Sequence, residues 1–260
     1  MPRPIDPQLI EILRDPSNGD PLELHEQALY NARTGRRYPI IDGIPSLLGS
    51  QPLPLRHRVW SGFYDRAAFA YDGVVTLGHR LGLGAEPAIR QQFLARHPLP
   101  PKPRVLEIGT GTAASRAHLP TDALYLGLDI SLGMLRRAQR RLAREQLSGH
   151  LVHADALSLP LMDEGFDFIL CMGVLQHLAA PRKALNEMAR VARSGARLLV
   201  LDEFSGARRL LKRLAIVPTA NPPAALAGAL RPPACRLEAP PRLLGDYYAL
   251  TLRKLPTSAG

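Results

Sequence analysis

Thiols are nearly absent from this chain. Only Cys171 and Cys235 occur among 260 residues, both in apolar sequence. They fit no disulfide or metal-ligand spacing, so a stapled scaffold is excluded and both read as buried free thiols. Long hydrophobic runs are missing too: no stretch of about 18 uncharged apolar residues occurs. The opening MPRPIDPQ has prolines and an acid where a signal peptide would carry its apolar core. A cytoplasmic protein without membrane insertion is expected. Aromatic residues make up 5% of the chain, too few to interleave with cations as a base-stacking surface does. Lysine is scarce, and the formal charge of +10 comes almost wholly from arginine. Such a charge attracts polyanions. The Arg, Ala, Pro, Leu and Gly bias is, however, also what a high-GC coding sequence produces, so the charge alone names no partner.

What is present is enough apolar residue, 46%, for a substantial core. Residues 1–50 read as a small α+β module: a helix over 8–13, a turn over 15–20, and short strands near 21–24, 28–31 and 37–41. A proline-flanked linker at 51–54 follows, and apolar residues at helical spacing over 59–97 suggest a helical cap and linker, 51–103 as a whole. From 104 to 260 the pattern alternates: strand RVLEIG, helix from Ala113, strand LYLGLD, helix over 132–146, strand HLVHAD, strand FDFILCMG, helix over 182–191 and strand RLLVLD. Short apolar strands separated by helices imply an α/β fold with a parallel sheet buried on both faces. A basic helix over 207–214, a proline-rich segment over 218–241 and a closing hairpin of 236–238 with 247–253 complete the reading.

The chemistry concentrates in VLEIGTGTA. An acid, Glu107, ends a buried strand; Gly109 and Gly111 let the backbone bend and approach a ligand; a helix start would then offer N–H groups. A dinucleotide-binding turn uses related spacing, and an ordinary tight loop would also fit. Three further features decide. Asp129 closes the next strand, where a carboxylate can accept both hydroxyls of a ribose; Asp155 closes the third, placed for an adenine amino group; FDFILCMGVLQHL supplies the fourth.

This stretch, about 104–201, resembles the class I S-adenosylmethionine-dependent methyltransferases, and within them the ubiquinone/menaquinone-type C-methyltransferases and their small-molecule relatives. The DISLGML run and the repeated YD of YDRAAFAYD belong to the resemblance. It implies a Rossmann-like, doubly wound, mainly parallel sheet with a C-terminal antiparallel hairpin, and S-adenosylmethionine as cofactor. Glu107, Gly109, Thr110 and Gly111 would line its methionine end, Asp129 the ribose, Ile130 and Met134 the adenine faces, and Asp155 and Ala156 the adenine edge. Met172, at the end of the fourth strand, joins the set, and Tyr64 and Tyr71 would close a lid. His177 stands where relatives often carry a histidine near the reaction centre; it reads either as a general base or as a packing residue anchoring the loop. Ala113 replaces a third glycine found in many relatives, and Gly195 alone stands for a proline-glycine-glycine loop. The remaining histidines, His57, His79, His97 and His153 among them, read as surface or packing residues.

The first fifty residues, above all TGRRYPIIDGIPSLL, resemble the zinc-ribbon-like activator domain that partners tRNA and rRNA methyltransferases. There two C-x-x-C pairs hold zinc; here the matching positions are Asp15, Asn18, Asn31 and Thr34, so no metal site is expected. Hydrogen bonds and an apolar core of Ile10, Leu13, Leu22, Tyr38, Ile41 and Ile44 would hold the module instead. Methyl transfer to a small or medium organic acceptor is the leading expectation. An RNA acceptor, or a non-catalytic cofactor-binding role, are the alternatives. No NPPY-type element of base-amino methylation occurs, NPPA at 221–224 having the wrong last residue.

Overall fold

A computed structural model describes residues 5–48, 86–203, 231–244 and 247–256. Tyr64, Tyr71, the cap residues before 86, His57, His79, the basic helix and most of the proline-rich segment lie outside them.

The chain starts with α1 (Pro7–Ile12), capped by the Asp6 carboxylate accepting from Gln8 N–H, with proline at the first helical position. Four short strands follow, β1 (Glu23–His25), β2 (Ala28–Tyr30), β3 (Arg37–Ile41) and β4 (Ile44–Pro45), forming an antiparallel sheet in sequence order. Helix α2 (Glu86–Ala95) leads into the main sheet: β5 (Arg104–Ile108), β6 (Leu124–Asp129), α3 (Leu132–Arg144), β7 (His150–His153), β8 (Phe166–Met172), α4 (Pro181–Val191), β9 (Ala192–Glu203), β10 (Cys235–Leu237), β11 (Arg242–Leu244) and β12 (Tyr247–Lys254).

Eight strands make this sheet, in the order β10-β12-β9-β8-β5-β6-β7 with β11 on β12. β5 to β9 run parallel; β12 lies antiparallel to β9, and β10 and β11 antiparallel to β12. The inner strands are apolar on both sides because both faces are covered. Leu106, Ile108, Leu126, Leu128 and Ile169 pack toward α4 and the N-terminal module, whereas Val105, Tyr125 and Leu170 pack toward α2 and α3. Helix α3 puts Leu135, Ala138 and Leu142 inward and is capped by Ser131, whose hydroxyl accepts from Met134 N–H at 3.2 Å.

One expected helix is different. After the glycine turn the chain forms only a short 3-10 turn, Ala114–His118, preceded by Ala113 in the left-handed region at φ 56°. Pro120 forbids continuation: its ring pushes the preceding Leu119 into extended backbone, φ −104°, ψ 156°. Arg116 tightens the turn, its fully buried guanidinium donating to the carbonyls of Ser148, Leu119, Pro120 and Thr121. A helix N-terminus is therefore not what greets a ligand here. The fifth parallel strand also starts earlier than RLLVLD, and Gly195, at φ 78°, sits inside it beside a register shift against Phe166 and Phe168.

The N-terminal module keeps its own sheet but not its own core. Leu9, Ile12, Leu13, Leu22, Leu29, Tyr38 and Leu47 are buried in one continuous cluster with Leu106, Leu126, Leu159 and Leu161. Of the expected core residues Leu13, Leu22, Tyr38 and Ile44 are buried, while Ile10 and Ile41 are half-buried. The backbone crosses the boundary as well: Leu13 bridges Leu161 and Ser46 bridges His153 in parallel sense, with Leu47 N–H donating to the His153 carbonyl at 2.8 Å.

Inside the module, Asp15 is buried and accepts from Ser17 N–H (2.8 Å), Ser17 Oγ (2.6 Å), Asn31 Nδ2 (2.7 Å) and Tyr38 OH (2.7 Å). Asn31 Oδ1 accepts in turn from Arg33 and Thr34 N–H. Residues 15, 18, 31 and 34, the positions matched to zinc-ribbon cysteines, are thus joined by a hydrogen-bonded knot. Burial pushes the Asp15 carboxyl up, but the hydrogen bonds from Ser17, Tyr38 and Asn31 outweigh it and hold it below its ordinary range. Tyr38 moves the other way, to about 12, through burial and the bond to Asp15.

Candidate functional site

In an open α/β sheet a ligand cleft forms at the carboxyl ends of the strands where the winding reverses. Here the chain leaves β5 toward β6 and β7, then returns to place β8 on the other side of β5. The turn after β5 and the turn after β8 therefore meet. Gly109 is at φ 63°, and a Cβ built on it would come within 2.2 Å of Val174 Cγ2 in the turn after β8. Gly111 is at φ 55°, and beyond its chain neighbours a Cβ there would meet no atom within 4 Å, which leaves an open cradle. Thr110 N–H ties the loop back to the Leu128 carbonyl at 3.0 Å.

Two acids frame the cradle differently. Asp129 ends β6; its Oδ2 accepts from Gly111 N–H at 2.8 Å and its Oδ1 from Ser131 N–H at 2.9 Å. Donors from two separate loops fix the plane of this carboxylate. Glu107 is buried on the face toward α2. Its Oε2 accepts from Tyr125 OH (2.5 Å) and Thr110 Oγ1 (3.0 Å). Its Oε1 is buried without a hydrogen bond, 3.6 Å from Arg90 Nη1 of α2. Arg90 also donates to Ser115 beyond the glycine turn, at 2.9 Å. Burial and the neighbouring Glu107 charge push the Tyr125 hydroxyl well up, so it stays a donor.

On the other side of Asp129, Ile130 is half-buried and Met134 buried. Asp155 lies two residues past the end of β7, its Oδ1 accepting from Leu157 N–H at 2.9 Å in a tight turn, with Ala156 buried beside it. Met172 is buried at the end of β8; His177 is half-buried in the short 3-10 turn Leu175–His177, its backbone N–H donating to the Val174 carbonyl at 2.9 Å. The carboxyl ends of β5, β6, β7 and β8 thus gather Glu107, Gly109, Thr110, Gly111, Asp129, Ile130, Met134, Asp155, Ala156, Met172 and His177 at one end of the sheet.

Sequence reasoning missed four residues here. Tyr125 and Arg90 hold Glu107; a tyrosine inside the buried run LYLGLD was the readable sign of a hydroxyl needing a partner. Asp202, fully buried at the end of β9, accepts from Gln176 N–H at 3.2 Å and so ties down the His177 turn. His153, read as surface or packing, bridges two loops: its Nδ1 lies 2.9 Å from Ser46 Oγ and its Nε2 3.1 Å from the Ile130 carbonyl. Both thiols are buried, which pushes them up and away from reactivity.

A parallel sheet with a glycine cradle at its switch point and an oriented carboxylate on the neighbouring strand defines an α/β protein built to hold a nucleoside-bearing cofactor. A family model described as a methyltransferase domain matches residues 106–200. The demethylmenaquinone methyltransferase of Clavibacter sepedonicus is 34% identical over 146 residues, 56% of this chain and 58% of that protein. That of Lactiplantibacillus plantarum is 32% identical over 162 residues, 60% of this chain and 67% of that protein. The chain thus spans under two thirds of the first of these relatives. Among solved structures, a chain of the complex between the Haloferax volcanii Trm112 methyltransferase activator and a methyltransferase shares the fold, with a TM-score of 0.58, 21% identity, and coverage of 75% of this chain and 98% of its own. The chain belongs to the class I S-adenosylmethionine-dependent methyltransferases, and S-adenosylmethionine is its cofactor. Among the described residues no helix is long and apolar enough to cross a membrane.

Proposed function

We propose that this protein transfers the methyl group of S-adenosylmethionine to a small or medium organic acceptor. The observation that carries the reading is the paired fixing of Asp129 by Gly111 and Ser131 N–H groups beside the open Gly111 cradle. A ribose diol would lie against the Asp129 carboxylate, the adenine between Ile130 and Met134 with its edge at Asp155 and Ala156, and the amino-acid end over Gly109 to Gly111. The buried Glu107 Oε1, which lacks a hydrogen bond, is a fitting acceptor for the ammonium of that end. Tyr64 and Tyr71 are proposed as lid residues.

When bound, the cofactor supplies an activated methyl on a sulfonium, whose departure needs no acid. The protein's share is to hold the acceptor in line with that methyl and to keep water out. His177, on the turn that Asp202 anchors, is proposed to take the acceptor's proton where the acceptor carries one.

An RNA acceptor is disfavoured because so many arginines are already engaged within the molecule. Arg33 pairs with Asp20, Arg136 with Asp42, Arg190 with Glu187 and Asp163, Arg193 with Asp167, and Arg197 and Arg253 with Glu238. The name shared by the two bacterial relatives makes a demethylated quinone a first acceptor to try. The N-terminal module is proposed to be a descendant of a methyltransferase-activator domain, carried on the same chain and held by the Asp15 knot in place of zinc.

Incubating the protein with isotopically labelled cofactor, a demethylmenaquinone analogue, a small-metabolite extract and bulk tRNA and rRNA, followed by mass spectrometry, tests the reading. A labelled small product is expected. Label found only in added tRNA or rRNA would replace it with the RNA reading. Calorimetry should show S-adenosylhomocysteine binding and no binding of NAD; tighter NAD binding would overturn the cofactor-site assignment.

A further inference from the structure

The N-terminal module touches the methyltransferase sheet at the elements that frame the adenosine half of the proposed cofactor site. Its last strand runs into Ser46 and Leu47, which pair with His153 along the backbone. From there the His153 ring spans to the Ile130 carbonyl, the residue directly after Asp129. An imidazole facing a carbonyl at 3.1 Å must donate from Nε2, which in the neutral ring leaves Nδ1 to accept from the Ser46 hydroxyl. A second grip lies one helical turn on. The β3–β4 hairpin residue Asp42, held at φ 53°, pairs through its carboxylate with Arg136 at 2.7 Å and through its carbonyl with Gln139 Nε2 at 3.0 Å, both on α3. Ser131 and Met134 lie in the first turn of that helix.

We infer that the module positions the adenosine-binding loop, with His153 as the positioning residue that links Ser46 of the module to the Ile130 backbone. The inference rests on the cofactor-site reading above. Asp129, Ile130 and Ser131 form one short connection between β6 and α3. Its N-terminal end is fixed by the sheet; its orientation over the adenine then depends on what holds the Ile130 carbonyl and α3, and the module reaches the first through His153 and the second at Arg136 and Gln139 in the body of the helix. These contacts bear on Ile130 and α3, which the cofactor-site reading places beside the adenosine, so the effect falls on binding of the adenosine half.

The test uses the full chain and two ligands, S-adenosylhomocysteine and 5′-methylthioadenosine, which lacks the amino-acid end. Ser46→Ala and His153→Leu should each weaken both ligands by the same factor, roughly five- to tenfold, in the range of ordinary site-to-site coupling. His153→Gln, whose amide can stand where Nε2 stood, should recover most of the affinity. Equal affinity in Ser46→Ala and the parent protein would overturn the link to the module, as would a loss confined to S-adenosylhomocysteine. Should His153→Leu fold poorly, Ser46→Ala and His153→Gln carry the test. Asp129→Asn serves as the reference: if it leaves both ligands unaffected, the site reading itself fails, whereas a strong effect there with none at Ser46 defeats only this inference.

Discussion

A carboxylate is useful to a ribose only if its plane is set before the sugar arrives, and Asp129 has its plane set by two backbone N–H groups. Replacing it with alanine should remove charge-assisted hydrogen bonds worth about 1.5 to 3 kcal/mol each and weaken S-adenosylhomocysteine at least about tenfold by calorimetry. Unchanged affinity in a folded variant would refute the ribose role. Gly109 is constrained by geometry of another kind. Gly109→Ala meets both the positive φ and the Val174 side chain, so a loss of about 2 to 4 kcal/mol in urea unfolding is expected. Adding Val174→Ala should recover the steric part and leave about 1 kcal/mol of backbone cost. If Gly109→Ala is as stable as the parent, the turn is not packed as described. At this scale the sequence was legible where a residue type answers a backbone demand, as at Gly109, Gly111 and the strand-ending acids. It was silent where partners meet from distant segments: nothing near Glu107 announces Arg90, and nothing near Gln176 announces Asp202.

Among the elements, the parallel strands were readable because burial on both faces leaves near-continuous apolar runs such as LYLGL and FILCM. The helix expected after Ala113 was not, because the pattern of small and apolar residues there suits a helix while Pro120 and the inward Arg116 decide against it. The knot around Asp15 is an element-scale device whose cost on removal should be large. Asp15→Ala strands Tyr38 OH in a buried setting and leaves Asn31 Nδ2 only its longer bonds to Asp20 and Asn18, for an expected loss of about 2 to 4 kcal/mol. Since the folded carboxyl sits below its ordinary range, its contribution is fully present above that range and is lost as the pH falls through the folded value. The parent's acid unfolding should therefore be steeper below the ordinary carboxylate range than that of Asp15→Asn, followed by circular dichroism against pH. Identical profiles would rule the knot out as a source of stability.

For the molecule as a whole, the shared core carries the expectation. A fragment of residues 1–50 would expose Leu9, Ile12, Leu13, Leu29 and Leu47, all buried beside the larger sheet, and it has too few residues to bury them alone. It should be largely unfolded by circular dichroism, and elemental analysis of the full protein should show no stoichiometric zinc. A cooperative thermal transition in the fragment would refute the dependence; one zinc per chain would refute the matching of Asp15, Asn18, Asn31 and Thr34 to zinc-ribbon ligands. The sequence marked out this module through YPIIDGIP, yet held no sign that its core continues into the next domain, because the apolar residues facing inward and those facing the neighbour look alike.

The pairing of Ser46 and Leu47 with His153 also has a bearing on how the protein behaves in dilute or crowded solution. β7 ends the parallel sheet, and a bare strand there would offer unpaired N–H and C=O groups as a template for a stray chain. Because the strand end that covers it belongs to the same chain, its local concentration does not fall on dilution. The His153 end of that edge is paired one-for-one in every molecule, so its cover neither dissociates on dilution nor needs matching in amount.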